Sequence, residues 1–477
     1  MVLGVFPERA KVPETIINAA MFFDDLPADR DIVEKVIKPI LTYDRLSGVP
    51  TRLTPKGKQL HLQPCGDDLD TSRLVRRVSV EDGSTVVDTI FAHLQDSLAE
   101  GRESLPWWEV LVVVDEKGKN EGSKNGGSCV FRIHHGLADG ISLVKVFEKI
   151  ITAEDGTAVK SPISVMERGR MSKETTAEGN GIFSKLWAIL GATFEVLTLG
   201  ATKFDDDILF KKSVHGRMTH SGKRSCVLLP TVDLAFIKEL RKAGGVTVND
   251  VLMTAVSQAI HDYCLSRNCP VLSGANKGQV QCRALLPVAL PRPRDEINDP
   301  KSALSNKFSM VSTNFGVHCN DVMERLRFVN KQTKLLKSSP VAYIQLLAQN
   351  TLPPLLPISF GQQTVYDVFT RHSLVFSNVP GPDRPCLFGG KVCTGVQMFY
   401  SNLITQIGII SYAGRVYGNM LLDPDAVPDS QSLALFYADA LVQLAEHLNV
   451  TPPANLVNEA KKQQQDKFDP NTYASLS

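Results

Sequence analysis

The chain reads as a mixed α/β protein of two domains. Three observations carry that reading. Helical and strand periodicities recur along both halves of the sequence, and a Gly-, Ser-, Thr- and Glu-rich stretch from about Ala153 to Gly181 separates them. The chain has 477 residues, 43% hydrophobic and 22% charged, enough to fill two ordinary cores.

In the first half, Val33, Val36, Ile37, Ile40 and Leu41 mark one face of a helix running from Asp31 to about Leu46. A second helix is expected from Val86 to Glu100. "LPWWEVLVVV" then ends in a β-branched run to Val114, the pattern of a buried strand. "DEKGKNEGSKNGGS" has the composition of an exposed connection, "CVFRIH" resumes as strand, and "ISLVKVFEKII" returns to helical spacing.

Beyond the polar stretch, the second half offers a strand at "RSCVLLP", a helix from Thr231 to Ala243, and a periodic helix beginning at "VTVND". In that helix Val251, Leu252, Ala255, Val256, Ala259, Ile260 and Tyr263 form a stripe suited to packing on a sheet. Further strands are expected at "QVQCRALLPV", "HSLVFSNVP" and "LITQIGIISYAG", and further helices at Asp321–Lys337 and Ser430–His447. "NEAKKQQQDKFDPNTYASLS" reads as a flexible tail.

Composition excludes several classes of function. The 52 basic and 51 acidic side chains leave a net charge of +1, which gives no electrostatic reason to expect nucleic acid as a partner. Nine scattered cysteines without a C-x-x-C pair suggest neither a disulfide framework nor a zinc site, and fit a reducing compartment. No cleavable secretory signal is expected at the N-terminus, and "SLS" is not a targeting tripeptide. HExxH, a P-loop and GxSxG are absent.

Two apolar stretches point to lipid or, with equal weight, to ordinary buried helices. Leu186–Thr202 is shorter than the ~20 residues of a spanning helix and carries Glu195 near its centre, so an interfacial or core helix is expected. "AYIQLLAQNTLPPLLPISFG" holds three prolines and would not span as a regular helix.

The stretch "FRIHHGLADG" carries the chemistry. Strand alternation puts His135 in line with Cys129, Phe131 and Ile133, and His134 on the opposite face. Burial disfavours a charged imidazole, which leaves it neutral and able to accept a proton near pH 7. Asp139 either orients an imidazole or fixes the loop through an arginine, for which Arg45 is a candidate, and Gly140 permits a turn that a side chain would obstruct. The plainer alternative is a packed His-His pair with Asp139 as a helix N-cap.

His134, His135, Asp139 and Gly140 spell HHxxxDG, which resembles the signature of the CoA-dependent acyltransferase superfamily. The resemblance is greatest to the wax ester synthase/diacylglycerol acyltransferase family. Its PLW-type segment is similar to "LPWWE" (Leu105–Glu109, with Trp107 and Trp108), its ND element to "VTVND" (Val246–Asp250), and its NVPGP element to Asn378–Pro382. "SYAGRVYGNMLLDPDAVPD" also looks similar, so the likeness runs from about Asp24 to about Val450. "LPWW" departs from the family's proline-leucine order, and a DFGWG-type element, which would mark the plant branch of the superfamily, is missing.

The resemblance implies two chloramphenicol-acetyltransferase-like halves, each a mixed sheet with flanking helices, around a central tunnel. Divided accordingly, residues 1–160 form the half with HHxxxDG, 161–222 a crossover linker with an apolar helix, 223–455 the second half and 456–477 the tail. It also implies an O-acyltransferase that moves a fatty acyl group from acyl-CoA to a long-chain alcohol, a diacylglycerol, or both. His135 would be the general base, beside His134, with Asp139 and Gly140 shaping the loop.

Asn249 or a backbone N–H would supply the oxyanion donor, although Asn249 and Asp250 also suit a helix cap. The resemblance implies Trp107, Trp108, Asp250, Asn378, Pro380 and Gly381 as substrate-side residues, although the last three most simply form a turn after a strand. No metal and no cofactor beyond acyl-CoA as co-substrate are expected. The expected location is the cytosolic face of a membrane, endoplasmic reticulum or lipid droplet in a eukaryote. The rival functions are transfer to another hydroxyl or an amine, and a catalytically silent lipid-binding relative.

Overall fold

The computed structural model describes residues 14–52, 60–66, 69–116, 126–159, 182–211, 213–214, 217–218, 221–274, 277–290, 296, 299–351 and 357–458. Most of the polar stretch and the tail expected from the sequence lie outside the described residues, as does 352–356 within the proline-containing apolar stretch.

The first half contributes β1 (Ile16–Phe23), β2 (Val75–Ser79), α1 (Val86–Ala92), β3 (Trp108–Val114), β4 (Gly127–His134) and α2 (Gly140–Ile150). Helix α3 (Ile182–Thr198) follows. The second half contributes β5 (Ser225–Asp233), α4 (Leu234–Gly244), α5 (Val248–Ser266), β6 (Arg283–Ala289), β7 (Phe308–Asn314), α6 (Val322–Ser338), α7 (Val341–Thr351), α8 (Ile358–Thr370), β8 (Leu374–Pro380), β9 (Gly395–Tyr400), β10 (Thr405–Tyr412), β11 (Arg415–Leu422) and α9 (Ser432–His447).

Each half is built on a mixed sheet. The first has the order β9-β1-β4-β3-β2 and the second β5-β11-β10-β8-β6-β7. Strand β9 comes from the second half of the sequence, yet pairs antiparallel with β1 in the first sheet. β1 in turn pairs antiparallel with β4, and β4 with β3 as the long-looped hairpin read from the sequence. The central position of β4 explains its burial on both faces, so it runs apolar without clean alternation.

The two cores are not independent. The core around β4 includes Ala303, Leu304, Cys386, Phe388, Cys393, Val396 and Tyr412 from the second half, alongside Ile17, Trp108, Phe131 and Ile133. Removing them from water is worth roughly 1.5–3 kcal/mol for each large side chain, so the first half needs the second to complete its core.

Several elements differ from expectation, each for a physical reason. The opening helical run covers Asp29–Ile32, a π-helical segment Val33–Ile37 and Lys38–Ile40, ending well before Leu46. Helix α1 stops at Ala92, because the Arg132 guanidinium takes the carbonyls of Leu94 and Asp96 that a longer helix would use (3.5 and 2.6 Å). Helix α5 is buried on nearly every side and not along one stripe: it packs between α4, α6 and α9. Its start is set by a capping box in which Thr247 and Asp250 exchange bonds.

Candidate active site

Three strands and one strap meet at the histidines. The amide of His134 donates to the carbonyl of Trp107 (3.0 Å) and that of His135 to the carbonyl of Thr15 (2.7 Å), so hydrogen bonds to segments next to β3 and β1 hold the end of β4. Ile133 lies opposite both Trp108 and Ile17, and Ile17 lies opposite Tyr400 on β9. His135, two residues beyond Ile133, stands near this row.

The two imidazoles have different surroundings. His134 is 6% exposed; the amide of Gly136 donates to its Nδ1 (3.1 Å), which leaves Nε2 to carry the proton towards Thr15 Oγ1 (3.5 Å). Its ring meets Trp107 edge to face at 5.0 Å. Burial, reinforced by His135, pushes its pKa down to about 4, so it is neutral at pH 7.

His135 is only half-buried, with its ring between Phe308 and Tyr400, both at 5.5 Å. Burial lowers its pKa too, while the Asp139 carboxylate opposes that shift. It is therefore a neutral imidazole that keeps accessible surface, which a general base needs.

The motif loop is tied down by Asp139. Asp139 is the N-cap of α2: its Oδ1 accepts from the amide and hydroxyl of Ser142 in the first turn (2.7 and 2.6 Å), and its Oδ2 accepts from the amide of Lys307 (3.0 Å). The hydroxyl of Ser142 also donates to the carbonyl of Ser305 (3.0 Å), and the Asn306 side chain donates to the carbonyls of His135 (2.8 Å) and Gly136 (3.4 Å). Arg45, the arginine considered for Asp139, donates to the carbonyl of Leu304 (3.1 Å). Thus three consecutive residues, 305–307, each bond to the loop or to the first turn of α2, from a segment that carries no recognisable motif.

Behind β4 lies an ionic hub. Glu109, 2% exposed, is paired with Arg132 and receives Arg76 and Arg102 at 2.9 Å each. These charges hold its carboxyl below the usual range despite the opposing effect of burial. Among the described residues, no group of three or more His, Cys, Asp or Glu side chains is placed to hold a metal ion.

Two family models match this architecture: the wax ester synthase/diacylglycerol acyltransferase catalytic domain over residues 65–252 and the WS/DGAT C-terminal domain over residues 304–445. The chain belongs to the wax ester synthase/diacylglycerol acyltransferase family. A probable diacylglycerol O-acyltransferase of Mycobacterium tuberculosis is 23% identical over 406 residues, covering 80% of this chain and 83% of its own. The O-acyltransferase WSD of Acinetobacter baylyi is 23% identical over 362 residues, 72% of this chain and 73% of its own. Among solved structures, the wax ester synthase/diacylglycerol acyltransferase from Marinobacter aquaeolei VT8 has the same fold, with TM-score 0.55 at 15% identity over 93% of this chain and 97% of that one.

Within this family member, the residues expected from the sequence fall into distinct places. Trp107 packs on His134, but Trp108 is fully buried: its indole N–H donates to the carbonyl of Leu46 (2.7 Å) and its ring packs on Phe131, which places it in the core around β4. Asp250 is also fully buried. Besides its cap, it accepts from Asn330 (2.9 Å) and Thr333 (2.7 Å) and clamps α5 to α6.

Asn249 is exposed, and its Oδ1 accepts from the Asn378 side chain. Pro380 ends β8. A Cβ on Gly381 would lie 2.4 Å from the carbonyl oxygen of Ser411, so the close approach of two backbones requires glycine there. Gly140 differs from expectation: its φ is not positive and a Cβ would meet nothing within 4 Å, so no turn demands it. Sequence reasoning missed Thr15, Asn306, Lys307, Phe308 and Tyr400, which approach the histidines from segments far away along the chain.

Proposed function

We propose that this protein is an acyl-CoA-dependent O-acyltransferase that esterifies a long-chain fatty alcohol, a diacylglycerol, or both, with His135 as general base. The observation that carries the reading is the neutral, accessible imidazole of His135, inside a chain of this family and between Phe308 and Tyr400.

In the proposed reaction the acceptor hydroxyl gives its proton to His135 as its oxygen attacks the thioester carbonyl. The alcohol is far too weak an acid to ionise beforehand, so proton removal and attack go together; a positioned base contributes roughly 100- to 10,000-fold. The tetrahedral oxyanion takes a hydrogen bond from an N–H of Asn249 or from a backbone amide. On collapse the C–S bond breaks, the proton passes from the imidazolium to the thiolate, and ester and free CoA leave. His134 and Asp139 hold the loop, and Trp107, Asn378, Pro380 and Gly381 shape the acceptor side of a tunnel between the halves.

We further propose peripheral attachment to a membrane or lipid droplet, on its cytosolic face. Helix α3 packs on α7, and Gly200, just beyond α3, lies against Thr364 and Val368 of α8. These helices leave Phe194 70%, Leu347 63%, and Leu190, Tyr343 and Phe360 about half exposed, more apolar surface than water favours. No described helix is long and apolar enough to cross a membrane.

The test is a competition assay with labelled palmitoyl-CoA and equal amounts of hexadecanol and a diacylglycerol, with His135→Ala alongside. Wax ester or triacylglycerol formed only by the unmodified protein supports the reading, and their ratio identifies the main acceptor. Folded protein that binds lipid but forms neither ester would favour the silent lipid-binding alternative.

A further inference from the structure

The strap that reaches the motif loop from the second half has a pattern of its own. Leu304 is buried in the first-half core, Asn306 bonds the carbonyls of His135 and Gly136, and Phe308, the first residue of β7, packs its ring on that of His135. Of these alternate residues, Asn306 and Phe308 reach His135 itself. The residues between them are held through their backbones, at Ser305 O and Lys307 N.

We propose that Asn306 is a positioning residue for His135, acting across the junction between the halves. Its two N–H donors fix the peptide groups on either side of the turn, and so aim the imidazole at the reacting hydroxyl. The proposal rests on the reading of His135 as the base. A misplacement of about 1 Å in a reacting group can lower a rate roughly 100-fold; Thr15 O holds the His135 amide, and Asn306 holds the carbonyl on the other side of the same residue.

Asn306 also acts on the proton affinity of the ring, raising it against burial, as does Asp139. Among the described residues, the adjacent His134 interacts electrostatically with His135, and Tyr400 on β9 faces its ring at 5.5 Å. This gives a signature that loss of structure would not produce.

The experiment measures kcat, KM and the pH profile of kcat/KM for hexadecanol and palmitoyl-CoA in the full chain, with His135→Ala as reference and thermal unfolding to verify folding. Asn306→Ala is expected to lower kcat about 10- to 100-fold, leave both KM values near those of the unmodified protein, and move the acid limb to lower pH. Asn306→Asp has the same shape but loses both donors; it should lower kcat similarly and move the acid limb to higher pH, because a carboxylate favours the imidazolium. An unchanged kcat, a loss confined to KM, or a lowered kcat with a stationary acid limb overturns the proposal. Full activity in His135→Ala would instead overturn the base reading, whereas an inactive His135→Ala beside a normal Asn306→Ala would overturn only the role of Asn306.

Discussion

The Asp139 carboxylate accepts the backbone amide of Lys307 at 3.0 Å, so the aspartate of HHxxxDG joins the two halves of the protein. Its other oxygen caps α2 through Ser142. Asp139→Ala removes a helix cap and leaves a partly buried amide without its acceptor, which together cost about 2–4 kcal/mol. The expected result is a lower midpoint in chemical denaturation and loss of activity out of proportion to substrate binding. A variant as stable as the unmodified protein would show that the junction does not depend on this carboxylate.

The pH dependence of stability follows from the buried histidines. His134 and His261 have pKa values pushed down to about 4 by burial, and His372 to about 3, against about 6.5 in an unfolded chain. Between these values the unfolded chain binds more protons than the folded one, so stability is fully present above pH ~6.5 and falls as the pH drops towards 4. Unfolding temperatures measured from pH 7.5 to 4.5 should decline across that window, and His134→Asn should flatten part of the decline. A flat profile would mean that these imidazoles are not buried as described.

Much of the fold was legible because its main elements carry local patterns. The β-branched run of β3 and the long apolar content of α5 mark themselves, and the His135 motif is a contiguous string. What was not legible depends on distant partners. In β9, "GVQMFY" has no alternation that reveals its pairing with β1, which lies nearly the whole chain away. Asn306 sits in "SALSNKFSM", where nothing but the folded position of the His135 carbonyl gives its amide a purpose. Trp108 and Asp250 are legible as motif residues, but adjacency in a motif does not tell which side chains turn inwards, as both of these do.

Asn249 and Asp250 are neighbours with opposite expected phenotypes. Asp250→Ala breaks the α5 capping box and strands the Asn330 and Thr333 donors, a loss of roughly 2–4 kcal/mol visible as a lowered unfolding temperature. Asn249 is exposed and touches Asn378, so Asn249→Ala should melt normally. If its N–H groups face the oxyanion, kcat falls about 100- to 1,000-fold with little change in KM. Normal kcat in Asn249→Ala would leave a backbone amide as the donor.

The exposed apolar side chains on α3 and α7 make a further separation possible, between contact with lipid and turnover. Phe194 and Leu347 are well over half exposed and lie on helices that pack on one another, away from the histidine loop in sequence. Exposed substitutions of this kind change stability by no more than about 0.5 kcal/mol. A glutamate at each position would place a charge where a membrane surface would otherwise receive an apolar side chain. Phe194→Glu with Leu347→Glu should therefore sediment less with phosphatidylcholine vesicles, while turnover of a short, water-soluble alcohol with palmitoyl-CoA stays at the level of the unmodified protein. Equal sedimentation of both proteins would show that these helices do not meet the lipid. Loss of turnover towards the soluble alcohol would show instead that the helices shape the substrate path.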